Sequence, residues 1–160
     1  MAESWTEQQL IADGFERVYA VSEWYDGPRE GLAVLNGVPH YFEGWDFDPR
    51  DAADEYFVWP ASEAAVAMER EQWARYVRYE VSDAGRETHP ANGGVDARYD
   101  ELDVLLAPHR QKPDGAQRLV AEMRMDDGER FRPDGGDVWF RWRPSRRAQP
   151  DNASPNAPAS

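Results

Sequence analysis

A chain of 160 residues fits one domain, and 41% hydrophobic content with seven Trp, seven Tyr and six Phe is enough for a real core. Thirty-one acidic residues against 18 basic give a net charge of −13, which argues against a general nucleic-acid binder, since that function needs a basic face. The absence of cysteine excludes disulfides, thiol catalysis and zinc–thiolate sites.

The charge is uneven. Residues 1–80 hold 17 acids and 6 bases, a net −11, whereas residues 81–160 hold 14 and 12, a net −2. Lys112 is the only lysine; the Arg-, Ala- and Pro-rich usage resembles that of a GC-rich bacterial genome, and excess acid with almost no lysine also occurs in salt-adapted proteins. The start, MAESWTEQQL, lacks a basic-then-apolar signal, and no apolar run approaches ~20 residues. The expectation is a cytoplasmic protein that does not span a membrane.

In chain order, residues 4–13 read as a short helix capped by Ser4 or Thr6 and stopped by Gly14. Residues 16–25, ERVYAVSEWY, read as a strand with apolar residues on both faces: Val18, Ala20 and Trp24 against Tyr19, Val21 and Tyr25. Asp26-Gly27-Pro28-Arg29 turns the chain. GLAVL-NG-VPHYF then reads as a β-hairpin with Asn36-Gly37 as its two-residue turn. That turn sets the register: Leu35 faces Val38, Val34 faces Pro39, Ala33 faces His40 and Leu32 faces Tyr41. Pro39 lacks an N–H, so the far side of its strand is expected to be an edge or a bulge. Residues 43–55 read as an acidic loop, and Tyr56–Trp59 as a short strand.

The longest periodic segment is Ser62–Glu80. Trp59-Pro60 holds the chain extended before it, and Ser62 can cap a helix. At about 100° per residue, Ala65, Val66, Met68, Trp73, Tyr76, Val77 and Tyr79 share one face. Glu63, Arg70, Glu71, Arg75 and Arg78 share the other. Glu69 and Glu80 break the pattern by projecting into the apolar face, with Gln72 near its edge. A buried carboxylate costs several kcal/mol unless it is paired, so Glu69 is expected to meet a cation, a tyrosine hydroxyl, a metal or a ligand.

Residues 82–96 read as loop, and 97–106 as a short helix with Tyr99, Leu102, Leu105 and Leu106 on one side. A meander is expected to follow. Residues 118–125 alternate as a half-buried strand, Asp126-Asp127-Gly128 is its hairpin turn, and residues 129–132 return. Residues 137–143 put Val138, Phe140 and Trp142 on one face. From Pro144 the chain is Pro, Ala, Ser, Asn and Arg, expected to be a disordered tail after a domain of residues 1–143. The resulting fold is α+β. Its antiparallel sheet, open or barrel-like, has five to seven strands from both chain ends and is packed by the one long helix of about 62–80, with short extra helices.

Chemical motifs are sparse. Asp46, Asp48 and Asp51 resemble the opening of a calcium loop, but Arg50, Asp51 and Phe57 occupy positions that such a loop reserves for other residues. His40, His89 and His109 have no metal-ligand spacing. There is no GxSxG, Rossmann or P-loop motif, so no cofactor is expected. Arg141, Arg143, Arg146 and Arg147 form a basic cluster suited to docking on the acidic half of the chain or on a partner.

Two functions are compatible with this sequence. The first is a non-catalytic, acidic protein-interaction module of the immunity or antitoxin kind, taking a basic protein partner on Trp45, Asp46, Asp48, Asp51 and Asp54. The second is a small-molecule-binding protein or hydrolase-like enzyme. Its pocket would lie between helix and sheet around Glu69, His40 and Arg29, with Trp24, Asp26, Trp73 and Tyr76 as further contacts. A closed helix–sheet interface favours the first; a cleft converging on Glu69 favours the second.

Overall fold

The computed structural model describes residues 5–24, 27–46, 53–80, 90 and 93–145. The chain forms α1 (Glu7–Ala12), β1 (Glu16–Trp24), β2 (Pro28–Leu35), β3 (Val38–Asp46), β4 (Ala53–Pro60), α2 (Glu63–Glu80), α3 (Ala97–Leu106), β5 (Gln117–Met125), β6 (Phe131–Arg132), β7 (Gly135–Gly136) and β8 (Val138–Pro144). Strands β1-β2-β3-β4-β5-β8 close into an antiparallel barrel, and β6 and β7 make a separate two-stranded ribbon.

The hairpin expected at Asn36-Gly37 forms in the expected register, from Leu35↔Val38 to Leu32↔Tyr41. Asn36 and Gly37 both take positive φ, 53° and 79°, as a tight hairpin turn of this kind requires. The Glu16 carboxylate accepts both turn amides, at 2.9 and 2.8 Å. Pro39 lies just outside the β3–β4 ladder, which begins at His40↔Pro60, and its carbonyl still accepts from Ala61. The missing N–H therefore marks the end of a ladder, and the strand itself is internal.

Alternation decides the two cores. Val18, Ala33, Phe42, Val58, Leu119 and Phe140, one from each barrel strand, meet inside. Leu32, Tyr41 and Trp59 point outward and pack against Ala65, Trp73 and Val77 of α2. α1, with Thr6 and Gln9 forming a capping box, brings Leu10 and Phe15 onto Trp139 at one side of the barrel.

Two readings of the sequence are corrected. Strict alternation in β1 fails because the register slips between Val18↔Ala33 and Ala20↔Leu32. This bulge sends Tyr19 and Ala20 both to the outer core and returns Val21 to the barrel interior. The meander is corrected too. β5 runs directly against β8, from Leu119↔Pro144 to Met125↔Val138, and residues 126–137 are an excursion carrying the β6–β7 ribbon. The inward rows of β5 and β8 are both apolar and pair directly, whereas the intervening piece adds Phe131 to the outer core against α2.

β3 extends to Asp46 and β4 begins at Ala53, so the acidic stretch is shorter than the sequence suggested. Tyr25, Asp26, residues 47–52, His89 and residues 146–160, with Arg146 and Arg147, lie outside the described residues, as do the side chains of Trp45, Asp46 and Asp54. Arg141 meets Glu122 at 2.9 Å and Asp13 at 3.2 Å. No described helix is long and apolar enough to cross a membrane.

Candidate functional site

A cleft of about 340 Å³ opens between the outer face of β1 and the helix pair α2–α3, with Glu23, Trp24, Glu69, Tyr99, Asp103 and Arg110 among its walls. The polar floor is built around Glu69, which is only 4% exposed. Arg110 grips that carboxylate with two parallel bonds, Nε to Oε2 and Nη2 to Oε1, both 2.8 Å. Such a fork-to-fork pair is strong because both donors are charged and the geometry is fixed. Tyr41, from β3, donates its hydroxyl to Oε2 at 2.8 Å. Burial, then the charge and hydrogen bond of Glu69, push the Tyr41 phenol well above its ordinary value, so it stays a donor.

Gln72, one helical turn on from Glu69, completes the floor. Its Oε1 accepts from Arg110 at 2.5 Å, while its Nε2 donates to Asp103 Oδ1 at 2.7 Å and to the Tyr99 carbonyl at 3.2 Å. Arg110 also reaches Asp103 at 3.3 Å. Burial in this corner, with the charge of Asp103 beside it, pushes the Tyr99 phenol up to about 12. Two ion pairs tie the rest of α3 to α2: Arg98 to Glu71 and Arg75 to Asp96, at 2.7 and 3.2 Å. Glu71 and Arg75, which the sequence places on the solvent face, are the docking surface for α3.

Arg110 was not visible as the partner of Glu69 because no periodicity governs it. It follows α3 in a tight turn in which the amides of His109 and Arg110 both donate to the Leu106 carbonyl. The Trp59 indole then donates to the His109 carbonyl at 3.2 Å and holds the turn against β4. Trp59 in turn stacks on Tyr41, their ring centroids 5.6 Å apart. The same two aromatic residues therefore orient the cation and one of the donors.

The structure brings together Glu69, Trp24, Trp73 and Tyr76 of the expected pocket residues, all on the cleft. Trp73 and Tyr76 stack, with rings 5.6 Å apart. His40 and Arg29 are placed elsewhere. His40 pairs with Ala33 and shares its inward-facing row with Phe42, and its Nδ1 lies 2.8 Å from the Val38 carbonyl. On β3 it is Tyr41, one residue along and on the opposite face, that meets Glu69. Arg29 packs beside Gly44. Asp26 and the partner surface around Asp48 and Asp51 lie outside the described residues.

Glu23 is a site residue that sequence reasoning missed. Cross-strand register puts Glu23 opposite Glu30, and Glu30 opposite Glu43, so three carboxylates form a row across β1, β2 and β3. Like charges at directly opposed positions destabilise a sheet. Burial raises the Glu30 carboxyl above its ordinary value, helped by a hydrogen bond to Glu23 and the charges of Glu23 and Glu43, while Arg110 pulls the other way. Among the described residues no group of three or more acidic or histidine side chains is arranged to hold a metal ion.

Glu30→Gln is expected to stabilise the fold at neutral pH by about 0.5 kcal/mol, the scale of one cross-strand pair. The sign follows from the raised value. The penalty is present while Glu30 is ionised and disappears as pH falls through its folded-state value toward the ordinary carboxylate range. Urea titrations at neutral and acid pH read both limbs. A gain that persisted unchanged in acid would show that charge repulsion is not its source.

Comparison of the chain with protein-family models, curated proteins and solved structures finds no match in any of the three. The cleft is therefore interpreted from its own chemistry.

Proposed function

We propose that this protein is a binding domain for a small organic cation, held in the cleft between β1 and α2–α3. The observation that carries this reading is the cleft's composition. Carboxylates of Glu23, Glu69 and Asp103 stand against one guanidinium, that of Arg110, among the aromatic rings of Trp24, Trp73, Tyr76 and Tyr99. Glu69 is committed to Arg110, and Asp103 uses Oδ1 toward Gln72 and Arg110, so Glu23 and the second oxygen of the half-exposed Asp103 supply the charge for a ligand. Aromatic faces attract cations through their quadrupole, and a desolvated contact contributes about 2 kcal/mol. The chain supplies an internal example beside the cleft, where the Arg130 guanidinium lies over the rings of Trp24 and Phe131 at 5.4 and 5.2 Å. The overall charge of −13 favours the approach of cations.

Titration with benzylammonium, followed by tryptophan fluorescence and calorimetry, tests the reading against neutral benzyl alcohol and against benzoate. Saturable one-to-one binding of the ammonium is expected, with the other two at least tenfold weaker. Glu23→Gln with Asp103→Asn should weaken the ammonium by a similar factor, because each change removes charge and keeps shape. Equal affinity for all three probes would overturn the proposal.

A second reading keeps the acid excess of residues 1–80 as a docking surface for a basic protein partner. The observation in its favour is the uneven charge, and it differs from the first in requiring a macromolecule. The cleft gives the small-ligand reading the stronger support.

A further inference from the structure

The cleft adjoins a second, smaller chamber. That chamber measures about 80 Å³; its walls are mainly apolar, with Val18, Val21, Phe131 and Val138 among them, and Arg130 and Asp137 are its charged members. Its origin lies in how the barrel closes. β1 meets β8 through the described pairs Glu16↔Phe140 and Arg17↔Trp139, after which the two strands separate. The ribbon covers the gap: Gly135 comes close to the Val18 carbonyl, and Phe131 packs on Trp73 and Tyr76. A pocket remains between the strands, reaching side chains of the barrel interior, Val18, Val21 and Val138.

The two spaces share walls. Ala20, Val21, Trp24, Trp73 and Tyr76 line both. Trp24, 42% exposed, stands between them with Arg130 over its ring. One molecule can therefore present a charged group to Glu23 and Asp103 and pass an apolar extension beside Trp24. A ligand that was charged throughout would leave the chamber's apolar walls wet, and a wholly apolar one would strand the carboxylates.

Building on the cation reading above, we infer that the ligand class is an amphipathic primary amine, its ammonium in the acidic cleft and its short hydrocarbon tail in the apolar chamber beneath Trp24 and Phe131. The chamber then acts as the specificity element. Each methylene that enters it leaves water and adds affinity, until the chamber is full and further carbons remain solvated. Arg130 is the residue that must yield, because its guanidinium lies across the rings at the entrance.

The test is a series of straight-chain primary ammonium ions from methylammonium to hexylammonium, titrated against the full chain by NMR. Affinity should rise about fourfold per methylene over the first members, the factor for moving one methylene out of water, and then level off. Val138→Leu, which takes up part of the chamber from the β8 side at a residue that does not line the cleft, should flatten the series and leave the affinity for methylammonium unchanged. Circular dichroism establishes that this variant is folded, and the unmodified chain's series stands without it. Affinity that is independent of chain length in the unmodified chain would overturn the chamber assignment and leave the cation reading intact. No binding of any member, benzylammonium included, would overturn both.

Discussion

Glu69→Gln should lower the unfolding free energy by about 3 kcal/mol, the low end of what breaking a buried ion pair costs, because the Arg110 side chain retains 23% exposure. The change removes the charge that Arg110 faces and leaves the amide with only one acceptor oxygen. Arg110 donates to both Glu69 oxygens, and Tyr41 to one of them, so three bonds compete for that oxygen. The consequence spreads beyond one residue. With that anchor weakened, the turn that follows α3 is held to α2 mainly by the bond from Arg110 to Gln72. Denaturant unfolding of the single variant reads the loss. Replacing both partners, Glu69→Leu with Arg110→Met, should recover part of it, since two apolar side chains remove the uncompensated charge. Were Glu69 instead kept for binding at the expense of stability, Glu69→Gln would leave stability level or raised while ligand binding fell. A change below ~0.5 kcal/mol with binding intact would mean that the carboxylate is effectively solvated.

Asp126→Asn should cost a comparable amount, about 3 kcal/mol, at a second buried carboxylate. Asp126 is 5% exposed and accepts from Trp139 Nε1 at 2.8 Å, from Arg132 at 2.6 Å and from the Gly128 amide at 2.9 Å. The last of these uses Oδ1 and the other two use Oδ2. An asparagine has one oxygen, so any orientation turns its own NH2 toward a donor. The backbone adds to the importance of this residue: its amide donates to the Asp137 carbonyl, closing the base of the 126–137 excursion, and the next amide, that of Asp127, donates to Trp5.

Burial disfavours the charged form of Asp126, but the hydrogen bonds from Arg132, Trp139 and Gly128 outweigh it and hold the carboxyl below its ordinary value of 3.8. A lowered folded-state value means that the stabilisation is present above the ordinary carboxylate range. It is lost as pH falls through the folded-state value. The wild-type protein should therefore lose stability in acid more steeply than Asp126→Asn, and the gap between them should narrow below pH 3.8. Parallel acid limbs would mean that Asp126 contributes through shape and packing alone.

Much of the fold was legible because the relevant signals are local. Asn36-Gly37 imposes positive φ at two successive residues, which few other pairs accept, and the hairpin register follows from that alone. The inward rows of β5 and β8 were readable from period-two alternation, as was the face of α2 from its 3.6-residue period. That helical period also placed Glu69 on the buried side before any partner was known. Where the local signal failed, a non-local cause was acting. The β1 bulge at Tyr19 is invisible to alternation because one inserted residue reverses every position after it. The Asp126 turn looked like a hairpin because a turn's own chemistry does not say which strands continue from it.

The sequence by itself determined that this is a cysteine-free, acidic α+β chain with a tight hairpin and one amphipathic helix carrying a carboxylate on its apolar face. Residue types, spacing and the periods of helix and strand are sufficient for that, since they dictate which way each side chain points. Only the tertiary structure decided what each side chain points at. Arg110 reaches Glu69 because a turn held by Trp59 delivers it across 41 residues of chain. Glu23, Glu30 and Glu43 share a row because barrel register puts three separate strands side by side. The apolar chamber exists because β1 and β8 part after two paired positions. Partner choice, strand closure and the spaces left between elements depend on how the whole chain packs, and no segment carries that information alone.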